Sequence, residues 1–277
     1  MRKLSGFNDT KFIPSVLCVL FLLGCSPADQ NSTTSTTIVS DNMDMTENSE
    51  IFENPTGESF EITTTHWLNE RPIGDGEGPV TDEMLLEHQS VAAGKNWIQF
   101  GGDYSNNRHS PIEQLSVANI DNLEFEWSIP SGTLGQFSVS PIVYDGIMYV
   151  TTSYNRLIAV NARTGELYWR YDHQQPEDLR ICCGPANRGA SIHGDKIFMA
   201  TLDAKILAFD RFSGEKLWES EIIDYSRGFS ATSAPLIVKN LAIIGVGGGE
   251  FGVRGFFDAY NIDTGEREWR HYTVPAE

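Results

Sequence analysis

Two adjacent cysteines and one carboxylate set among glycines are the residues of this chain whose types and spacing point to chemistry. Cys182 and Cys183 are the only cysteines in the part of the chain read as folded, because Cys18 and Cys25 fall within its first 25 residues. An oxidising compartment favours joining them. Neighbouring Cα atoms sit about 3.8 Å apart across a trans peptide, below the usual disulfide range, so the bond would close a strained eight-membered ring of the kind that marks functional sites. Two small buried apolar side chains are the other reading. On these residues alone the two readings stand even.

The carboxylate is Glu250, inside Gly245-Val-Gly-Gly-Gly-Glu-Phe-Gly-Val-Arg-Gly255, where six glycines surround one acid and one guanidinium. Such a run lets a ligand approach the backbone closely. Glu250 suits a hard cation such as Ca²⁺, and a surface ion pair with Arg254 is the plainer alternative. Gly247, Gly249 and Gly252 match G-x-G-x-x-G, but Phe256-Phe-Asp-Ala-Tyr260 follows as strand and no βαβ unit surrounds it, so a dinucleotide site is excluded.

The elements that must position these residues are strands. Past Trp97, short β-branched or aromatic runs alternate with Asp-Gly, Thr-Gly and Ser-Gly turns. An eleven-residue pattern, Ala-x-Asp/Asn-x-x-Thr/Ser-Gly-Glu-x-x-Trp, occurs at Ala159 to Trp169, Ala208 to Trp218 and Ala259 to Trp269. In each copy a strand ends at Asn161, Asp210 or Asn261, and the chain reverses at Gly165, Gly214 or Gly265, where positive φ is tolerated. The tryptophan opens the next strand and is expected to fill the wedge between neighbouring sheets, its N–H finding a backbone acceptor.

The repeat tryptophans lie 49 and 51 residues apart, and Trp127 precedes Trp169 by 42. This is the spacing of propeller blades of four strands each. The segment 96–277 has room for about three blades, which cannot close a large ring. A truncated or split reading frame is therefore expected, with residues 1–25, 26–95 and 96–277 as export signal, disordered tether with N-terminal extension, and partial propeller.

Arg2, Lys3 and Lys11 precede an apolar stretch from Val16 to Leu23, too short to span a bilayer, which runs into Gly24-Cys25. Leu22-Leu23-Gly24-Cys25 resembles the lipobox of bacterial lipoproteins, which implies a lipid anchor on Cys25 and a periplasmic, membrane-tethered protein. An ordinary secretory signal would also export the chain. From Ser26 to about Ser59 the composition is polar and reads as a tether. Glu83 to His88 is expected to be helical after an N-cap at Thr81. With 38 acidic against 20 basic residues and a net charge of −18, no nucleic-acid partner is expected.

From Trp97 to Pro275 the chain resembles the pyrroloquinoline quinone (PQQ)-dependent methanol and ethanol dehydrogenases. Three stretches carry the likeness: Asn96-Trp-Ile-Gln-Phe-Gly-Gly-Asp-Tyr-Ser-Asn-Asn-Arg-His-Ser-Pro111, the vicinal-cysteine segment Cys182-Cys-Gly-Pro-Ala-Asn-Arg-Gly189, and Thr232-Ser-Ala-Pro235 followed by Gly248-Gly-Glu-Phe-Gly-Val-Arg-Gly255. The resemblance implies an all-β fold, an eight-bladed propeller of which this chain holds about the first three blades.

By that resemblance, Cys182 and Cys183 form a disulfide against one face of PQQ, and Arg188 contacts the quinone. Thr232 and the backbone at Gly247, Gly248 and Gly249 hold its carboxylates, and Glu250 binds the metal, Ca²⁺ or a lanthanide. The implied reaction is oxidation of a small alcohol by hydride transfer to metal-bound PQQ, with a cytochrome c or quinone-linked acceptor. The base comes from later blades, so no catalytic base is expected before Glu277. One departure stands in Gly135-Gln-Phe-Ser-Val-Ser-Pro141, where Ser138 occupies the place of a PQQ-contacting glutamate and Gln136 offers a hydrogen-bonding substitute. The rival reading is a non-enzymatic propeller lipoprotein that acts as an outer-membrane assembly scaffold. It gives no reason for adjacent cysteines or a glycine-ringed Glu250.

Overall fold

A computed structural model describes residues 46–53, 59–66, 74–86, 95–110 and 112–276. The proposed signal and Cys25 lie outside the described residues. Within residues 26–95, expected to be tether and N-terminal extension, β1 (Thr46–Glu53) and β2 (Ser59–His66) pair antiparallel, with Phe52 opposite Phe60 and Glu50 opposite Ile62. A short α-helix, α1 (Asp82–Leu86), sits where one was expected, and Met84 N donates to Thr81 Oγ1 at 3.3 Å. His88 is outside the described residues. Val80 and Leu85 are buried in the same core as the propeller strands, so the packed body reaches upstream of the expected boundary at residue 96.

Three four-stranded antiparallel sheets follow in chain order. The first holds β3 (Ile142–Tyr144), β4 (Ile147–Thr152), β5 (Arg156–Asn161) and β6 (Leu167–Asp172). The second holds β7 (Ser191–His193), β8 (Lys196–Ala200), β9 (Lys205–Asp210) and β10 (Lys216–Glu221). The third holds β11 (Leu236–Val238), β12 (Leu241–Gly245), β13 (Phe256–Asn261) and β14 (Arg267–Tyr272). Each is a meander, and the three do not close a ring: the fold is a partial β-propeller.

The repeat pattern is explained position by position. Asn161 Oδ1 accepts from the N–H groups of Arg163 and Thr164; Asp210 Oδ1 does the same for Phe212 and Ser213, and Asn261 Oδ1 for Asp263 and Thr264. The hydroxyls of Thr164, Ser213 and Thr264 accept from the N–H of the glutamate two residues on. Between them, Gly165, Gly214 and Gly265 hold φ of +72°, +71° and +73°, the left-handed conformation that excludes most side chains. Ala159, Ala208 and Ala259 each pair in register with the tryptophan of their own copy and are fully buried.

The tryptophans also join sheet to sheet. Trp169 lies so close over Gly214 that an added Cβ would meet its ring at 2.6 Å, and Trp169 Nε1 donates to Arg211 O at 3.1 Å. Trp218 covers Gly265 in the same way and donates to Ile262 O at 3.1 Å, while Trp127 covers Gly165. The glycine of each turn is thus required twice, by its φ and by the ring of the preceding tryptophan. Arg211, buried beneath the first junction, is paired with Asp195 at 2.9 Å and Asp145 at 3.4 Å, which offsets the cost of removing its charge from water.

The topology separates two ends of the sheets. In a four-stranded antiparallel meander, the connections from second to third strand and from the last strand to the next sheet emerge at one end. The turns from first to second and third to fourth strand emerge at the other. The tryptophan-docked turns therefore occupy one end, and the segments carrying Cys182-Cys183, Thr232 and Glu250 occupy the opposite one.

Candidate functional site

The link from β6 to β7 carries Cys182 and Cys183, which form a disulfide with Cα atoms 3.8 Å apart. Both are exposed, which removes the reading as buried apolar residues. The segment around them is held from below. Asn187, 1% exposed, donates from Nδ2 to Asn155 Oδ1 at 3.0 Å and to Ala200 O at 2.8 Å, and its Oδ1 accepts from Gly189 N at 3.0 Å. Pro185 O accepts from Tyr154 N at 3.0 Å. Nothing in the sequence singled out Asn187, because a side chain that pins a loop from beneath has the same spacing signature as any turn asparagine.

The link from β12 to β13 brings Glu250 to this place. Gly247 pairs with Ser230 as an isolated bridge, its N donating to Ser230 O at 2.7 Å. Gly248 takes φ +118° against Gly228 O, where a Cβ would come within 2.1 Å, and a short 3₁₀ turn, Gly249–Phe251, then carries Glu250 outward. A Cβ at Gly249 would meet nothing within 4 Å, so the backbone there faces open space.

Glu250 Oε1 lies 3.2 Å from Cys182 Sγ. A disulfide sulfur has no proton to give, so this is a contact and not a hydrogen bond. The two sulfurs and a Glu250 carboxylate oxygen all fall within 4.8 Å of one another. Arg254 points elsewhere: its Nε donates to Val274 O at 2.7 Å and its guanidinium stacks on the Tyr272 ring at 3.8 Å. The Glu250–Arg254 ion pair is therefore replaced by a contact to the disulfide.

Arg188 and Thr232 meet as well. Arg188 Nη1 donates to Thr232 Oγ1, and the backbones join through Arg188 N to Thr232 O at 2.9 Å. Arg188 also lines an apolar cavity of about 330 Å³ with Phe100, Ile192, Pro235 and Ile237. Gln136, the residue offered as a hydrogen-bonding substitute, reaches the same end, since its Oε1 is the nearest atom, at 3.4 Å, to a Cβ built on Gly184, next to Cys183. Its backbone carbonyl accepts from Ser153 Oγ at 2.8 Å.

A buried polar chain supports the start of the cysteine segment. His173 Nε2 is 2.8 Å from Asp203 Oδ1, its Nδ1 is 3.1 Å from Tyr171 OH, and Lys205 Nζ is 3.3 Å from Asp203 Oδ2. Burial works to raise the Asp203 carboxyl, but hydrogen bonds from His173 and Thr201 and the charge of Lys205 hold it below the ordinary carboxylate value. Burial pushes the Tyr171 hydroxyl up to about 12.

Residues 97–277 match the family model described as the glucose/ethanol/alcohol dehydrogenase β-propeller domain, PQQ type. The chain belongs to this PQQ dehydrogenase propeller family. It is similar to the quinohemoprotein alcohol dehydrogenase ADH IIB of Pseudomonas putida, 38% identical over 71% of this chain and 29% of that protein. It is also similar to the quinoprotein alcohol dehydrogenase PedH of Pseudomonas putida, 42% identical over 73% of this chain and 34% of that protein. Among solved structures it resembles a europium-containing methanol dehydrogenase, with TM-score 0.62 and 37% identity over 64% of this chain and 32% of that one. The quinohemoprotein alcohol dehydrogenase of Comamonas testosteroni is similar over 72% of this chain and 30% of that one, with TM-score 0.65 and 32% identity. The chain thus spans about a third of the length of these relatives. The relatives do not favour the scaffold reading.

The residues at this end fit the family's cofactor in kind. An exposed disulfide, a guanidinium with a hydroxyl, and an unobstructed glycine backbone suit a planar anionic ring. Glu250 supplies one hard oxygen ligand, fewer than a Ca²⁺ ion takes.

Proposed function

We propose that this chain is the N-terminal portion of an exported PQQ-dependent dehydrogenase that oxidises an alcohol and passes the electrons to a cytochrome c or quinone-linked acceptor. The observation that carries the reading is the meeting of Cys182 with Glu250 at the same end of a partial propeller as the bonded pair Arg188 and Thr232. When bound, PQQ with Ca²⁺ or a lanthanide supplies a two-electron acceptor for the alcohol's hydride.

This chain's own residues bind and orient. The Cys182–Cys183 disulfide offers the stacking face, Arg188 the positive charge at the quinone, and Thr232 with Gly247, Gly248 and Gly249 the donors for the carboxylates. Glu250 holds the metal. Gln136 is placed to hydrogen bond at the edge of the same face. No residue of this chain is assigned the base, so the chain alone is expected to be inactive. Arg2, Lys3 and Lys11, the Val16 to Leu23 stretch and Gly24-Cys25 support a reading in which the protein is exported to the periplasm with a lipid anchor on Cys25.

The test is reconstitution. Expressed with the reading frame extended downstream and supplied with PQQ and Ca²⁺ or a lanthanide, the protein should reduce an artificial dye only when an alcohol is added. Absence of activity in a complete frame that retains a downstream carboxylate base would overturn the reading.

A further inference from the structure

The geometry around Cys182 also points to a second chemical state of the same place, one that goes beyond the proposed dehydrogenase function and does not depend on it. Two sulfurs and a carboxylate oxygen within 4.8 Å of one another match the donor set of a soft or borderline divalent cation, provided the sulfurs are thiolates. In the disulfide they are not, and a disulfide sulfur is a poor ligand.

We infer that reduction of Cys182–Cys183 converts this site into a redox-gated chelate for a thiophilic divalent cation, with Cys182 Sγ, Cys183 Sγ and Glu250 as ligands. The balance is simple. A small dithiol reductant gives two electrons and two protons to the bond, becoming a cyclic disulfide and leaving two thiols. The cation then displaces both thiol protons and binds two thiolates and one carboxylate.

Four features of the structure support this. Both cysteines and Glu250 are exposed, so reductant and cation reach them. Glu250 Oε1 already stands 3.2 Å from Cys182 Sγ, and the 3₁₀ turn Gly249–Phe251 that carries it is closed by Gly252 N donating to Gly249 O at 3.1 Å. The cysteine segment is anchored independently of the disulfide, through Asn187 to Asn155 and Ala200, so opening the bond leaves both sulfurs near the carboxylate. Arg254, the nearby cation in sequence, is engaged by Val274 O and Tyr272 and does not compete for Glu250.

Cd²⁺ is the probe, because thiolate-to-cadmium charge transfer is read directly in the ultraviolet. The chain is reduced with a phosphine, desalted without oxygen and titrated, beside the unreduced chain and a Cys182→Ser, Cys183→Ser variant that keeps Cys18 and Cys25. The reduced chain should bind one Cd²⁺ more than the variant, and the unreduced chain should match the variant. Glu250→Gln should keep the charge-transfer band but weaken binding by at least the roughly tenfold that changes outside a ligand shell already cost. Circular dichroism of every sample monitors the fold. Reduced chain binding no more Cd²⁺ than the double variant would overturn the chelate, and unchanged affinity in a folded Glu250→Gln would remove the carboxylate from it. Neither result bears on PQQ, whose binding is read separately on the oxidised chain.

Discussion

Cys182 Sγ and Glu250 Oε1 lie 3.2 Å apart although 68 residues separate them in sequence. The link from β6 to β7 and the link from β12 to β13 bring them together, and the alternation of strand direction puts both links at the same end of their sheets. The opposite end holds the docked turns that fasten sheet to sheet. Chemistry and cohesion are thus separated along the strand axis, and substitutions at the two ends should have different consequences.

Glu250→Gln keeps the shape of the loop and removes its charge. Affinity for Ca²⁺ or a lanthanide should fall at least about tenfold. Thermal stability should stay within about 0.5 kcal/mol of the parent, as for other exposed substitutions. Lanthanide luminescence titration beside a thermal melt checks both parts.

Trp169→Ala and Gly214→Ala attack the same junction from its two sides. Removing a 3%-exposed indole that also donates to Arg211 O should cost about 3–5 kcal/mol. Adding a methyl at Gly214 forces a φ of +71° on a residue with a Cβ and sets that Cβ 2.6 Å from the Trp169 ring, which should cost about 1–3 kcal/mol. Combined, the two changes should cost less than their sum, because the alanine at 169 leaves room for the new methyl. Urea unfolding of the three variants measures the coupling. Trp269, 38% exposed, should be the mildest of the repeat tryptophans to truncate.

Asp203 gives a pH dependence whose sign is fixed. Its carboxyl lies lower in the folded chain than in an unfolded one, so its contribution to stability is present above the unfolded value and is lost as pH falls through the folded one. The window is the acid range below about pH 4. Asp203→Asn should flatten the acid limb of a stability-against-pH curve and leave His173 with a weaker partner. Denaturant midpoints collected between neutral and strongly acid pH test this, and an unchanged acid limb would contradict it.

Asn187→Ala should loosen the cysteine segment without touching the disulfide. Asn155 Oδ1, Ala200 O and Gly189 N each lose their partner at Asn187, for an expected loss of about 1–3 kcal/mol. Backbone hydrogen exchange at Gly184 and Gly189 should rise more than at β8 or β9.

What could be read beforehand from the chain was whatever acts over short separations. The turn chemistry of Asn161, Thr164, Gly165 and their repeats is complete within six residues, so the pattern alone carried strand, turn and docked ring. The types of Cys182 and Cys183 left a disulfide and two buried apolar side chains equally open, and their bond and exposure decide between them. The Glu250–Arg254 pair was the natural expectation from a separation of four residues, and it fails because the 3₁₀ turn and Gly252, at φ +72°, swing the two side chains apart. The β1–β2 hairpin escaped a reading by composition, because a polar average hides the register that sets Phe52 opposite Phe60. The segment carrying Val80 and Leu85 showed its short helix in the sequence but not its burial, since its apolar residues find their partners only on the propeller strands.

Whether this end of the partial propeller holds PQQ is tested most directly by equilibrium dialysis of PQQ against the oxidised chain. Saturable binding approaching one PQQ per chain, weakened at least about tenfold by Arg188→Ala through loss of a charge-assisted contact, is the predicted result. No saturable binding, or equal binding by a folded Arg188→Ala chain, would contradict it.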